Sequence, residues 1–327
     1  MSFKGFSQHW KDFPDYIIGI TREIWEGRGI ETLNRYYAPD IPVRTPMGIQ
    51  RGNQTVIAAT MATVHEFPDR QLLAEDVIWS GEEQTGYLSS HRLITTATHS
   101  RDGVFGPASG KSFKVRVIAD CAAKNDTIFD EWLVRDYGGI VRQFGQSPRE
   151  FAASLIEQEG GAETCSKPFV PADDVDGGYR ATGNDNEWGK TYELILNRLM
   201  EKDFPVIEKA YDRAVVGEYP GAVTALSHDE VTEFWLGLRS SFPDAEFKIH
   251  HRIGMDAEMM PPRAAIRWSL DGVHSGYGTF GAPTGAHVHV MGISHAEFGP
   301  WGLRREFSLF DEIAIWKQIL IQGERQA

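Results

Sequence analysis

Apolar positions recur at helical spacing near the start of the chain, at Phe13, Ile17, Ile20 and Ile24. The same spacing returns far downstream at Tyr192, Ile195, Leu196 and Leu199. Each run predicts an amphipathic helix with one stripe on a core. A short helix follows in both places, ending near Tyr36 and near Tyr211. A third covers about 53–65 and about 228–240, where His228-Asp229-Glu230 sets acids at a helix start, as the helix dipole favours. After that helix the period changes from helical to alternating. Strands are predicted at about 71–79, 86–98, 112–122 and 127–137, then at 245–254, 264–273, 286–297 and 303–311. Short helices at about 139–144 and 313–320 close each series. Helices first and an antiparallel meander afterwards predict an α+β fold rather than a parallel βαβ one.

The two series are one unit written twice. Phe67-Pro68-Asp69 recurs 175 positions on as Phe242-Pro243-Asp244. The same offset relates Tyr36 to Tyr211, Arg92 to Arg267, and His99-Ser100 to His274-Ser275. It continues, without a gap, through Glu131 and Glu306, Asp136 and Asp311, and Gln143 and Gln318. Spaced identities at one offset point to gene duplication. Residues 159–188 are rich in Gly and Asp with few large apolar side chains, and read as a linker. The predicted organisation is therefore a first domain over 1–158, a linker over 159–188 and a second domain over 189–327.

Composition narrows the function. Of 327 residues, 33 are Lys or Arg against 46 Asp or Glu, a net charge of −13 that disfavours nucleic-acid partners. No run is long and apolar enough for a membrane-spanning helix, and the N-terminal residues lack the apolar core of a signal peptide, which predicts a cytoplasmic location. Two cysteines, Cys121 and Cys165, make neither a zinc cluster nor a disulfide framework. Gly276-Tyr277-Gly278-Thr279-Phe280-Gly281 matches a dinucleotide fingerprint, but Pro283 and Gly285 follow it where that fingerprint needs a helix. It reads as a loop.

Several motifs sit on this frame: Gly272-Val273-His274-Ser275-Gly276, Phe280-Gly281-Ala282-Pro283-Thr284-Gly285, and the closing Glu306-Phe307, Asp311 and Gln318. The first half keeps Thr98-His99-Ser100, Phe105-Gly106-Pro107-Ala108-Ser109-Gly110, Glu131-Trp132, Asp136 and Gln143. With this element order the chain resembles the polyketide-cyclase-like (SnoaL-like) branch of the nuclear transport factor 2-like superfamily, over nearly everything but the linker and the extreme termini. The resemblance implies two cone-shaped α+β barrels, each a strongly curved sheet around helices with a mostly apolar pocket. It implies cofactor-independent chemistry, with an acidic residue on the last long strand as general acid/base beside a carbonyl. Asp136 and Asp311 occupy that position. The family's His partner is not matched cleanly: Asp120 and Cys121 stand there in one half, His295 and Glu297 in the other. Dimerisation through the open sheet face, usual for the fold, makes an internal pseudo-dimer the expected arrangement and leaves a further homo-oligomer open.

Asp311 shares a strand face with Leu309 and Phe307, an apolar row that raises a carboxyl pKa toward a useful range. The competing reading is a helix cap at Ile313. His274 and His99 each follow a strand and precede a Gly-rich turn, and are candidates for a proton shuttle or for holding that turn, the latter favoured for His99. His287, His289 and His295 share a strand face without a metal-binding motif, so no metal is expected and His295 is a candidate partner for Asp311. The leading expectation is a cofactor-independent cyclase, isomerase or lyase (dehydratase) acting on a small apolar carbonyl compound through Asp311 or Asp136, assisted by His274 or His295. The alternative is a non-catalytic ligand-binding or assembly module. If only one copy works, the second, richer in histidine, is the one expected to.

Overall fold

In the computed structural model, which describes residues 4–324, each predicted series forms one half of the molecule. The first half runs α1 (Phe13–Trp25), α2 (Leu33–Tyr36), β1 (Pro42–Thr45), β2 (Gly48–Arg51) and α3 (Asn53–Glu66). Then come β3 (Gln71–Glu82), β4 (Gly86–Thr98), β5 (Ser112–Lys124), β6 (Thr127–Arg135), α4 (Tyr137–Gln143) and α5 (Pro148–Gln158). The second half repeats this with α6 (Glu187–Met200), α7 (Val206–Ala210), β7 (Tyr211–Tyr219), β8 (Val223–Ala225) and α8 (His228–Ser241). It ends with β9 (Glu246–Met255), β10 (Arg263–Val273), β11 (His287–Gly299), β12 (Gly302–Phe310) and α9 (Glu312–Glu324). The 175-residue offset maps α3 onto α8, β5 onto β11 and β6 onto β12, end to end.

Each half holds a six-stranded sheet, ordered β2-β1-β6-β5-β4-β3 and β8-β7-β12-β11-β10-β9. Pairing is antiparallel except β1 with β6 and β7 with β12. The sheets curve but stay open, since their end strands do not pair with each other. The β1–β2 and β7–β8 hairpins lie outside the predicted strands; β1, β2 and β8 are runs of only three or four residues, too short to carry readable alternation. The inner face of the first sheet wraps α1, whose Phe13, Tyr16, Ile17, Ile20 and Ile24 are buried. Residues 159–188 pack closely: Phe169 N–H donates to Pro46 O, and the Tyr179 hydroxyl meets His251 Nε2 at 3.0 Å.

The outer faces of the two sheets pack against each other, so the long central strands are buried on both sides. Ile118 and Val134 meet Met291, Ile293 and Leu309 there. The contact is isologous in the manner of a twofold dimer. Arg92 lies 3.4 Å above the Phe307 ring and hydrogen-bonds His295 Nδ1 at 3.2 Å. Its counterpart Arg267 lies 3.6 Å above Trp132 and pairs with Asp120 at 2.8 Å. Phe307 and Trp132 are themselves counterparts, as are His295 and Asp120. Removing Arg267 would strand the Asp120 carboxylate inside the interface. Arg267→Ala is expected to cost roughly 3–5 kcal/mol in urea denaturation, and much less when combined with Asp120→Ala. A single-variant loss below about 1 kcal/mol would show that the interface does not depend on this pair.

Candidate functional site

The first half is hollow. Between α1, α3 and the inner face of its sheet lies a cavity of about 140 Å³. That is close to the ~150 Å³ apolar cavity known to hold a benzene ring. Apolar side chains line it from Ile17, Ile20 and Ile24 on α1 to Leu93, Val117 and Leu133 on the sheet, with Thr60 and Thr63 of α3 among them. Strand register places the polar groups among them. Ser89, Cys121 and Glu131 form one cross-strand row, and His91, Ala119 and Leu133 the next. His91 and Glu131 are two strands and one row apart, about 12 Å between backbones at ordinary strand spacing and rise.

Glu131 is buried and takes a hydrogen bond from the Tyr37 hydroxyl, while its Oε2 has no partner among the described residues. Burial pushes its pKa up to about 7, against the lowering effects of the Tyr37 bond and the Arg135 charge. Burial also drives His91 down to about 4, so this imidazole is neutral at pH 7. Ser89 Oγ lies 3.1 Å from His91 Nδ1 and 3.4 Å from Cys121 O. We assign the hydroxyl hydrogen to the shorter contact, which leaves His91 Nε2 carrying a proton as a donor toward the cavity.

The equivalent space in the second half is full. Trp235 stands where the first half has Thr60, Trp268 where it has Leu93, and Phe310 where it has Arg135. Trp268 fits only because its neighbour is Gly292, where an added Cβ would lie 2.2 Å from the indole. Glu306, the counterpart of Glu131, accepts from Tyr192 (3.0 Å), Tyr211 (2.8 Å), Tyr219 (2.6 Å) and Trp235 (3.0 Å). Both of its oxygens are committed to these four donors.

The SnoaL-like polyketide cyclase family model matches residues 9–144, and the SnoaL-like domain model matches residues 192–303. The chain is two SnoaL-like domains in tandem. Such domains are small-molecule-binding and enzyme-type. Among solved structures, IdmH of Streptomyces antibioticus is 22% identical, covering 40% of this chain and 97% of its own, at a TM-score of 0.35. TsrD of Streptomyces laurentii is 20% identical, with 40% and 93% covered and a TM-score of 0.35. A SnoaL-like polyketide cyclase of Agrobacterium tumefaciens is 19% identical, with 43% and 98% covered and a TM-score of 0.32. No curated protein matches. No described helix is long and apolar enough to cross a membrane.

None of the five residues singled out from sequence lines the cavity of the first SnoaL-like domain. Asp136 caps α4 through Gly139 N–H (2.8 Å) and ties down the second half through Gly221 and Ala222 N–H, both 2.8 Å. Asp311 accepts from Ile313 N–H at 2.9 Å at the start of α9. Burial raises Asp136 to about 6 and Asp311 to about 8, with the charge of Glu312 adding to both and that of Asp136 adding to Asp311. His274 holds its Gly-rich turn, with Nδ1 3.0 Å from Thr284 Oγ1 and its carbonyl accepting from Gly285 N–H at 3.0 Å. His99 does the same with Ser109 Oγ at 3.1 Å, and stacks on Phe144 at 4.9 Å. His295 belongs to the sheet-to-sheet contact, meeting Ser90 Oγ at 2.8 Å, and pairs with Phe307, four residues before Asp311. The cavity lies in the first half, whereas two buried indoles occupy the equivalent space in the second. Among the described residues no cluster of His, Cys, Asp and Glu is placed to hold a metal. The signal for Glu131 was present as the repeated Glu131/Glu306 pair, a carboxylate kept by both copies on corresponding strands.

Glu131 binds its proton more tightly in the folded chain than in the unfolded one. Its contribution to stability is therefore present below about pH 4.5 and lost as pH rises to about 7. Glu131→Gln should stabilise the protein at about pH 8 by up to about 3 kcal/mol, with the gain fading toward pH 4. Thermal melts across that range check this, and an unchanged melting profile at pH 8 would mean that Glu131 ionises normally.

Proposed function

We propose that the first domain is a cofactor-independent acid/base catalyst for a small, largely apolar carbonyl compound, with Glu131 in the role that the family pattern suggested for Asp136 and Asp311. The observation that carries this reading is Glu131 in the lining of the cavity, buried with one oxygen unpartnered and a pKa of about 7. A carboxylate at that value accepts a proton and returns it near neutral pH. Tyr37 holds its other edge. A carbonyl seated between the two strands has Glu131 toward its α-carbon and His91 Nε2–H toward its oxygen. Glu131 removes the α-proton, and the neutral imidazole stabilises the developing enolate. Return of the proton to a different atom, or expulsion of a β-substituent, gives isomerase or lyase (dehydratase) chemistry; attack on a second carbonyl gives ring closure.

The second domain reads as a non-catalytic partner on the same scaffold, supported by the four hydrogen bonds that occupy Glu306. Deuterium incorporation at the α-carbon of small aryl and cyclic ketones in D2O tests the proposal without knowledge of the natural product. Wild-type protein should accelerate exchange, with a rate that rises as pH passes about 7. Glu131→Gln should lower the rate by about a hundredfold or more, while folded Asp136→Asn and Asp311→Asn keep it. Exchange that survives in Glu131→Gln and vanishes in either Asp variant would return the role to the strand-end aspartates.

A further inference from the structure

One end of the cavity carries two guanidinium groups. Arg70 stands between α3 and β3, and Arg135 is the last residue of β6. Arg70 is buried, donates from Nε to Thr95 Oγ1 at 3.0 Å and lies 5.2 Å over the Trp25 ring. Burial and then the charge of Arg135 lower its pKa to about 10, which leaves it cationic at pH 7. The carboxylate that acts on it is Glu66, but Glu66 already accepts from Val104 N–H (3.0 Å) and Phe105 N–H (2.9 Å). Among the described residues neither arginine forms an ion pair, although eleven other arginines do.

Two like charges side by side, Arg70 buried and Arg135 half-buried, neither in an ion pair among the described residues, are costly, so their persistence in one copy calls for a reason outside the fold. The second domain, whose cavity is filled, has Ala245 and Phe310 at the two positions. The arginines accompany the hollow. A planar guanidinium fork matches a carboxylate in shape and charge. We infer that the first domain takes a carbonyl compound bearing a carboxylate, held by Arg70 and Arg135 at one end of the cavity, with its apolar body on α1. This rests on the reading of the cavity as the ligand site.

Fluorine NMR titration with 4-fluorobenzoate and the uncharged 4-fluorobenzamide, at about pH 6, tests the inference. The full chain should bind the carboxylate about tenfold or more tighter than the amide. Arg135→Gln should bring the two affinities together, and Arg70→Met should do so if it folds. Glu131→Gln should preserve the preference. Thr60→Trp, which sets the indole of the filled copy into this one, should abolish binding of both probes. Equal affinities in the wild type, or a preference that survives Arg135→Gln, would overturn the anion assignment and leave the cavity as the ligand site. Failure of both probes to bind, or binding unaffected by Thr60→Trp, would overturn the cavity reading along with it.

Discussion

Burial of two arginines between the backs of two sheets is the constraint on which the rest of the molecule depends. Arg92 and Arg267 lie against aromatic rings of the opposite half, each matched to a polar group of that half. Charges removed from water in this way are tolerated only with their partners in place, so the arrangement fixes orientation more than it adds stability. It holds the outer faces of β4–β6 and β10–β12 shut, and ligand space remains only on the inner faces. α9 strengthens the clamp from outside: Arg142 meets Glu312, and the buried Lys317 ammonium meets Glu159 at 2.9 Å.

Duplication on such a frame leaves two inner faces that need not stay alike. The second has become an ordinary core, in which Trp235 and Trp268 occupy the space where a ligand would sit and the indole of Trp268 donates to Ser294 Oγ at 2.8 Å. The first keeps its space and the polar groups within it. A filled core is the more stable solution, because a cavity forfeits packing contacts. Retaining the hollow in one copy, with a buried carboxylate and two cations beside it, runs against the interest of stability.

The carboxylates show how far environment, rather than position on a strand, determines chemistry. Asp136 and Asp311 have raised pKa values, as a catalytic acid would, yet their oxygens are taken by backbone amides at helix starts. Glu306 is buried among four donors and has no free edge. Glu131 alone among these four combines a raised pKa with an unpartnered oxygen and a place in the lining of a cavity. Burial is common to all of them; access to a ligand is not.

The one-dimensional pattern determined the α+β class, the helix-then-meander order and the duplication, because periodicity and the 175-residue offset are properties of the chain itself. It determined also that Asp311 and Asp136 stand where a strand gives way to a helix, a place open equally to a cap and a catalyst. What it left undecided was which face of each strand looks into a cavity and which into the other half. His295 and His91 illustrate this: each sits on a central strand, and one is a sheet-to-sheet contact while the other lines the hollow. Whether a copy is hollow depends on volumes contributed by residues distant in sequence, Trp235 on α8, Trp268 on β10 and Gly292 on β11. Packing sums those volumes in three dimensions, and only the tertiary structure performs that sum.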